Sequence, residues 1–276
     1  MDGQEAVRVN RIFHDHECGY YDERFAIVHD DRSARRARRE VERLLGRPLR
    51  RGEVVLDAGC GTGWLAAGLR RAAPQVRVVG VDLSEGMLGR ARAAGAWPLL
   101  QADAQRLPFG DASVDLVVSR GVLHHLPDVG TALAEWHRVL RPAGAVVVTS
   151  EPTPTVERHG EVLVRGLLAT LRRPLTAEED FWEVASMAAN LHVFTPAELT
   201  AAAHGAGFRQ ARLTTADFLS TMLLTASYVA HGRRPALARK LPWRHLETAA
   251  ATVDALLTDR VLPESMRHTV VGVLRP

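Results

Sequence analysis

Between residues 33 and 148 the chain alternates short apolar, β-branched runs with longer stretches whose apolar positions recur every three to four residues. A continuous apolar run suits a strand covered on both faces, and the longer period suits a helix packed by one side. Their alternation predicts βαβ units around a parallel sheet. Strands are expected at Val54–Leu56, Val76–Val81, Pro98–Gln101, Val114–Ser119 and Ala145–Ser150. Helices are expected over Trp64–Ala73, from a Ser84 cap through Met87, Leu88 and Ala91 to Gly95, and over Gly130–Leu140. Arg141-Pro142-Ala143-Gly144 should stop the last of these, because proline cannot continue a helix and glycine can turn the chain.

Beyond Glu151 the rhythm changes. Helical patterns over Val162–Leu171 and Glu178–Ala189 run without an intervening strand and predict a helical cap. Thr195-Pro196 opens a further helix, with threonine as cap and proline at the first helical position, ending near Gly205-Ala206-Gly207. Phe208–Thr215 and His268–Leu274 read as sixth and seventh strands, and the segment between, 217–260, as helical. The expected organisation is a lid and helix over 1–46, a core over 47–152, a cap insertion over 153–193, and the rest of the core sheet over 194–276.

With 276 residues, 46% hydrophobic and 24% charged, the composition is that of a globular chain, which excludes disordered and fibrous classes. Cys18 and Cys60 are too few for a disulfide framework, so a reducing, cytoplasmic setting is expected. No run reaches the roughly 18 apolar residues of a spanning helix, and no basic segment followed by an apolar run opens the sequence, so neither export nor membrane insertion is expected. Lys240 is the only lysine among 35 basic residues, a compositional skew, and a net charge of +3 is a small electrostatic footprint for a nucleic-acid binder. Arg32, Arg35, Arg36, Arg38, Arg39 and Arg43 do crowd one segment, interleaved with Ala34, Ala37, Val41 and Leu44 at helical spacing. That helix face is either simply solvated or anion-attracting. It lacks the aromatic residues that stacking on single-stranded RNA requires.

The chemistry concentrates where strands end. Asp57-Ala58-Gly59-Cys60-Gly61-Thr62-Gly63 joins the first strand to a helix, where open α/β sheets bind nucleotide-like ligands. The dinucleotide fingerprint fails, since it would need glycine in place of Trp64. A carboxylate two residues before the first glycine suits a cationic ligand better than a pyrophosphate. Asp82 ends the second strand, where it can accept from ribose hydroxyls. Asp103, beside Ala104, ends the third strand, where it can accept from an adenine amino group. Together they describe a ligand with an amine, a ribose and an adenine but no phosphate.

Val54–Ala66, Val78–Ser84, Gln101–Phe109, Val114–Asp128 and Arg138–Pro152 resemble, in order and spacing, the motifs of class I S-adenosylmethionine-dependent methyltransferases. The resemblance implies an α/β, Rossmann-like, mostly parallel seven-stranded sheet in the order 3214576 with the last strand antiparallel. It implies S-adenosyl-L-methionine as cofactor, with Gly59, Gly61 and Gly63 cradling the methionine part, Asp82 at the ribose, and Asp103 with Ala104 at the adenine. Asp57, Cys60, Leu83, Met87, Ser119 and His124 complete the expected lining, under a lid carrying Tyr21-Asp22.

Methyl transfer requires alignment of donor and acceptor and, for a hydroxyl, removal of its proton. His124 and His125 follow the fourth strand and Glu151 ends the fifth, so His125 or His124 is the expected base with Glu151 as acidic partner, unless the histidines merely pack. The expected function is small-molecule methylation, at a hydroxyl of a secondary metabolite in natural product biosynthesis. The alternatives are an RNA or protein methyltransferase using the arginine helix, or a C- or N-methyltransferase acting by proximity. The expected partner is a small-molecule acceptor, with no membrane or nucleic acid, in a monomer or homodimer. His14-Asp15-His16-Glu17-Cys18 is dense in ligand-type side chains, but neighbours so close in sequence diverge, and no metal is expected. Cys60 has no base at a known spacing and is not expected to act as a nucleophile.

Overall fold

The computed structural model describes residues 2–276 except 96, 157, 160, 161, 164–189 and 234. The helices expected at Val162–Leu171 and Glu178–Ala189 therefore lie outside the described residues, apart from Val162 and Leu163. Three helices precede the sheet: α1 (Gly3–Glu17), α2 (Tyr21–Arg24) and α3 (Asp31–Leu45). Then follow β1 (Val54–Ala58), α4 (Trp64–Ala72), β2 (Arg77–Asp82), α5 (Glu85–Ala94), β3 (Leu99–Gln101), β4 (Val114–Arg120), α6 (Val129–Val139) and β5 (Leu140–Pro152). The C-terminal part contributes α7 (Pro196–Gly205), β6 (Gln210–Ala216), α8 (Leu219–Arg233), α9 (Trp243–Val253) and β7 (Thr269–Arg275).

The seven strands form one sheet in the order β3-β2-β1-β4-β5-β7-β6. Strands β1 to β5 are mutually parallel, and β7 runs antiparallel to both β5 and β6. Side chains alternate between faces, so successive residues of each inner strand feed opposite cores. Leu56, Val117 and Val146 pack with Leu133 and Trp136 of α6 and Leu199 of α7. Their neighbours Val55, Leu116 and Val147 pack with Val41 and Leu45 of α3 and Leu65 and Leu69 of α4. Both faces are covered, which is why the strands read as unbroken apolar runs.

The helix starts follow their capping residues. Asp30 accepts the Ser33 N–H at 2.7 Å, Ser84 the Met87 N–H at 3.0 Å and Asp128 the Thr131 N–H at 2.9 Å. Thr195 and Glu198 form a reciprocal capping box at α7. Two local expectations change. In α3 the buried stripe is Ala34, Ala37, Val41 and Leu45, so Leu45 takes the deep position and Leu44 packs at its margin. The turn expected at Arg141–Gly144 is instead an irregular stretch inside a longer β5. Leu140 already pairs with Val114 before the register shifts to Leu116 and Ala145.

Register gathers the carboxyl ends of the strands on one edge. Ala58 lies opposite Val81, Asp82 opposite Gln101, Asp57 opposite Val118 and Arg120 opposite Thr149. Among the described residues no helix is long and apolar enough to cross a membrane.

Candidate active site

Leaving β1, the chain turns through Gly59 and Gly61 at φ of 75° and 54°, a region that side chains with a Cβ rarely adopt. A Cβ on Gly59 would lie 2.5 Å from Val122 Cγ2, whereas one on Gly61 would meet nothing within 4 Å, because that side of the loop opens on a cleft. The cleft holds about 970 Å³ of empty space, its mouth included. Its walls include Tyr21, Asp57, Gly59, Cys60, Gly61, Asp82, Leu83, Met87, Asp103 and Ala104, all expected from the sequence. Three other expected residues stand outside this wall. Gly63 caps α4 against Trp97, Ser119 is buried beneath with its Oγ unpartnered, and His124 faces the neighbouring cavity.

Asp57 is 1% exposed, its Oδ2 has no partner, and burial pushes its carboxyl up to about 7. Asp82 accepts the Gly61 N–H at 2.7 Å and the Ser84 N–H at 2.9 Å, and burial pushes it up to about 6. Asp103 accepts the Gln105 N–H at 2.8 Å. A buried, unpartnered carboxylate oxygen beside an open-faced glycine loop fits the ammonium and methionine part of S-adenosylmethionine. Burial pushes the Cys60 thiol well up, which keeps it a thiol and removes it as a nucleophile.

Helix α1 lies over the cleft. Asp15 accepts from Ser84 Oγ at 2.6 Å and from the Gly86 N–H at 3.0 Å, and Asn10 Nδ2 donates to the His125 carbonyl at 2.8 Å. His14 points into the cleft, where burial and then the nearby His124 pull it down to about 4, so it is neutral. His16 packs its ring against Tyr20, Glu17 faces Arg24 at 3.7 Å, and Cys18 Sγ donates to the Asp15 carbonyl. The dense N-terminal run thus points in separate directions. Among the described residues no group of three His, Cys, Asp or Glu is placed to hold a metal ion.

Beyond Gly121 a second cavity of about 1,540 Å³ adjoins the cleft. His14, Tyr21, Arg120, Gly121 and His125 belong to both walls. Phe13, Phe25, Tyr228, His124 and His192 make much of the remainder aromatic, and α8 and α9 supply one side. Glu151, 0% exposed at the end of β5, accepts the N–H groups of Val122, Leu123 and His124 at 2.9, 3.0 and 3.1 Å. A fourth contact joins it to His124 Nδ1 at 2.9 Å. The sequence left open which histidine meets Glu151, and the fold brings it to His124. The His125 ring packs between those of His124 and His14, with centroids 3.9 and 4.8 Å away. Sequence reasoning missed Arg120 and Asn10. Arg120 follows Ser119 directly at the end of β4, and that position was its available signal.

The methyltransferase domain family profile matches residues 56–148, the span from β1 into β5. The demethylmenaquinone methyltransferase of Geobacillus kaustophilus is 36% identical over 162 residues, covering 55% of this chain and 68% of that protein. The malonyl-[acyl-carrier protein] O-methyltransferase of Hahella chejuensis is 39% identical over 107 residues, covering 37% of this chain and 38% of that protein. Among solved structures, phosphoethanolamine N-methyltransferase 2 of Haemonchus contortus, in complex with S-adenosylhomocysteine, shares the fold. It superposes with a TM-score of 0.60 at 18% identity, over 95% of this chain and 57% of that one. Sheet order, glycine loop, acidic strand ends and sequence kinship agree, and the chain belongs to the class I S-adenosylmethionine-dependent methyltransferases, with S-adenosylmethionine as its cofactor.

Proposed function

We propose that the enzyme methylates a hydroxyl of a small molecule, of the secondary-metabolite kind, seated in the second cavity, with His124 as general base. The observation that carries this reading is the Glu151–His124 contact in a wall that adjoins the cofactor cleft. Glu151 takes the Nδ1–H of His124 and fixes the tautomer, which leaves Nε2 as the proton acceptor. Its three backbone contacts hold the turn that carries the histidine, so ring and carboxylate are positioned together. His124 accepts the hydroxyl proton as the oxygen becomes the nucleophile.

Asp57 would hold the amine of the cofactor, Gly59 and Gly61 its methionine backbone, Asp82 the ribose, and Asp103 with Ala104 the adenine. When bound, S-adenosylmethionine supplies a methyl group on a positively charged sulfur, activated toward displacement by a nucleophile. Tyr21 and His14, shared by both walls, shield the junction from water, and neutral His14 adds no charge to repel the sulfonium.

The kinship with an O-methyltransferase supports an oxygen acceptor. A macromolecular substrate on the arginine helix has less support, because two of its arginines are already engaged within the chain. Arg36 grips Glu247 through contacts of 2.8 and 3.0 Å, and Arg38 binds the Ala72 carbonyl and Glu42. The test is a mass-spectrometric screen of small-molecule extracts for a cofactor-dependent gain of one CH₂, followed by location of the new methyl group. Methylation of RNA or protein alone, with no small-molecule product, would overturn the reading.

A further inference from the structure

We propose that the acceptor is a small aromatic acid whose carboxylate is held by Arg120. This rests on the methyltransferase reading of the two cavities and adds a substrate class to it. Arg120 stands at the junction, in the walls of both the cleft and the second cavity. Its guanidinium lies over the Trp64 ring, 4.7 Å from the centroid, and its Nε is buried without a partner. No hydrogen bond or ion pair to its side chain occurs among the described residues. A guanidinium whose Nε is buried with no acceptor is costly to leave unmatched, and a carboxylate matches its planar fork.

The acid that feels its charge, Asp57 in the same cleft wall, makes neither a hydrogen bond nor an ion pair with it and is itself pushed up to about 7 by burial, so the need stays open. The second cavity's other arginine, Arg36, is neutralised by Glu247 at 2.8 Å. Of the remaining carboxylates, Glu17 faces Arg24 and is pushed up to about 7 by burial. Asp217 accepts from Thr269 Oγ1 at 2.7 Å and is pushed up to about 6 by burial. Among the described residues that line the second cavity, Arg120 is therefore the arginine left without an ion pair, beside an aromatic wall of Phe13, Phe25 and Tyr228.

The way in carries the same sign. A groove of about 1,300 Å³ shares Tyr21, Phe25, Arg36 and Arg120 with the second cavity and continues outward between α3 and α9. Its outer wall adds Arg32, Arg39 and Arg244, none engaged by an ion pair or side-chain hydrogen bond among the described residues. Against them stand Asp30, which caps α3, and Glu247, already taken by Arg36. Such a mouth draws anions in.

The test compares para-hydroxybenzoate with its uncharged isostere para-hydroxybenzamide, by calorimetry on the protein saturated with S-adenosylhomocysteine. The acid should bind at least about tenfold more tightly than the amide at low salt, as a charge-assisted pair with Arg120 requires. Arg120→Met, which keeps the packing on Trp64, should erase that preference, and Arg120→Lys should retain part of it. Affinity for S-adenosylhomocysteine should stay within about twofold in both variants, since the acceptor and not the cofactor holds the arginine. Equal binding of acid and amide, or no acid binding at millimolar concentration, overturns the proposal. So does an Arg120→Met variant that loses cofactor affinity while keeping the acid preference, because the cofactor's own carboxylate would then be the ligand. Failure of the unmodified protein to bind S-adenosylhomocysteine would overturn the methyltransferase reading instead.

Discussion

Asp82 holds the Gly61 N–H through Oδ2 at 2.7 Å and the Ser84 N–H through Oδ1 at 2.9 Å, so one side chain sets both the glycine loop and the start of α5. Asp82→Ala releases both donors and removes the acceptor assigned to the ribose. Affinity for S-adenosylmethionine should fall by about 1.5–3 kcal/mol, roughly 10- to 150-fold, measured by calorimetry. An affinity within about twofold of the original would remove Asp82 from the ribose site.

Cofactor binding should strengthen as pH rises. Burial raises Asp57 to about 7 and Asp82 to about 6, so both carry protons at pH 5 and lose them between about 6 and 7. A cationic ligand favours the ionised carboxylates, so binding expels protons: affinity climbs through that window and levels off above it. His14, down at about 4, stays neutral throughout and does not oppose the trend. Asp57→Asn should flatten the upper part of the profile. A profile already flat in the unmodified protein would contradict the assignment of Asp57 to the cofactor amine.

His124→Ala should lower the maximal rate by about 10²- to 10⁴-fold and leave cofactor affinity nearly unchanged. Glu151→Gln should lower the rate too, and also the thermal midpoint, because an amide NH₂ would then face some of the four donors that converge on Glu151. His125→Ala should cost less, since that ring is wall and not base. If His124→Ala and Glu151→Gln both stay within about threefold of the original rate, proximity alone drives transfer and the acceptor atom is not a hydroxyl oxygen.

Gly68 lies where α4 packs tightly against α3. A Cβ there would fall 2.9 Å from Ala37 Cβ and 3.4 Å from Ala34 Cα. Gly68→Val should therefore destabilise the fold by about 1–3 kcal/mol, read as a lowered thermal midpoint. An unchanged midpoint would mean that the two helices can separate at no cost.

The strands and most of the cofactor cleft are legible in the sequence because they depend on near neighbours. A run such as Leu116–Val118 is apolar throughout because both faces of β4 are covered there, and covered faces leave no other readable pattern. Asp57 and Asp82 stand in the last positions of their strands and Asp103 two residues beyond its own, and parallel topology alone sends those ends to one edge. Pairings between distant segments were decided only by the tertiary structure. His124 and His125 are adjacent and chemically alike, and only the one-residue rotation of their turn, set by the end of β5 27 residues away, gives Glu151 to His124. The arginines of α3 look equivalent along the helix, yet Glu247, 211 residues later, neutralises Arg36. Whether Arg120 is paired depends on which acids α1, α8 and α9 bring near it and which of those are already taken. A buried charge is defined by all its neighbours at once, and no stretch of sequence around it contains them.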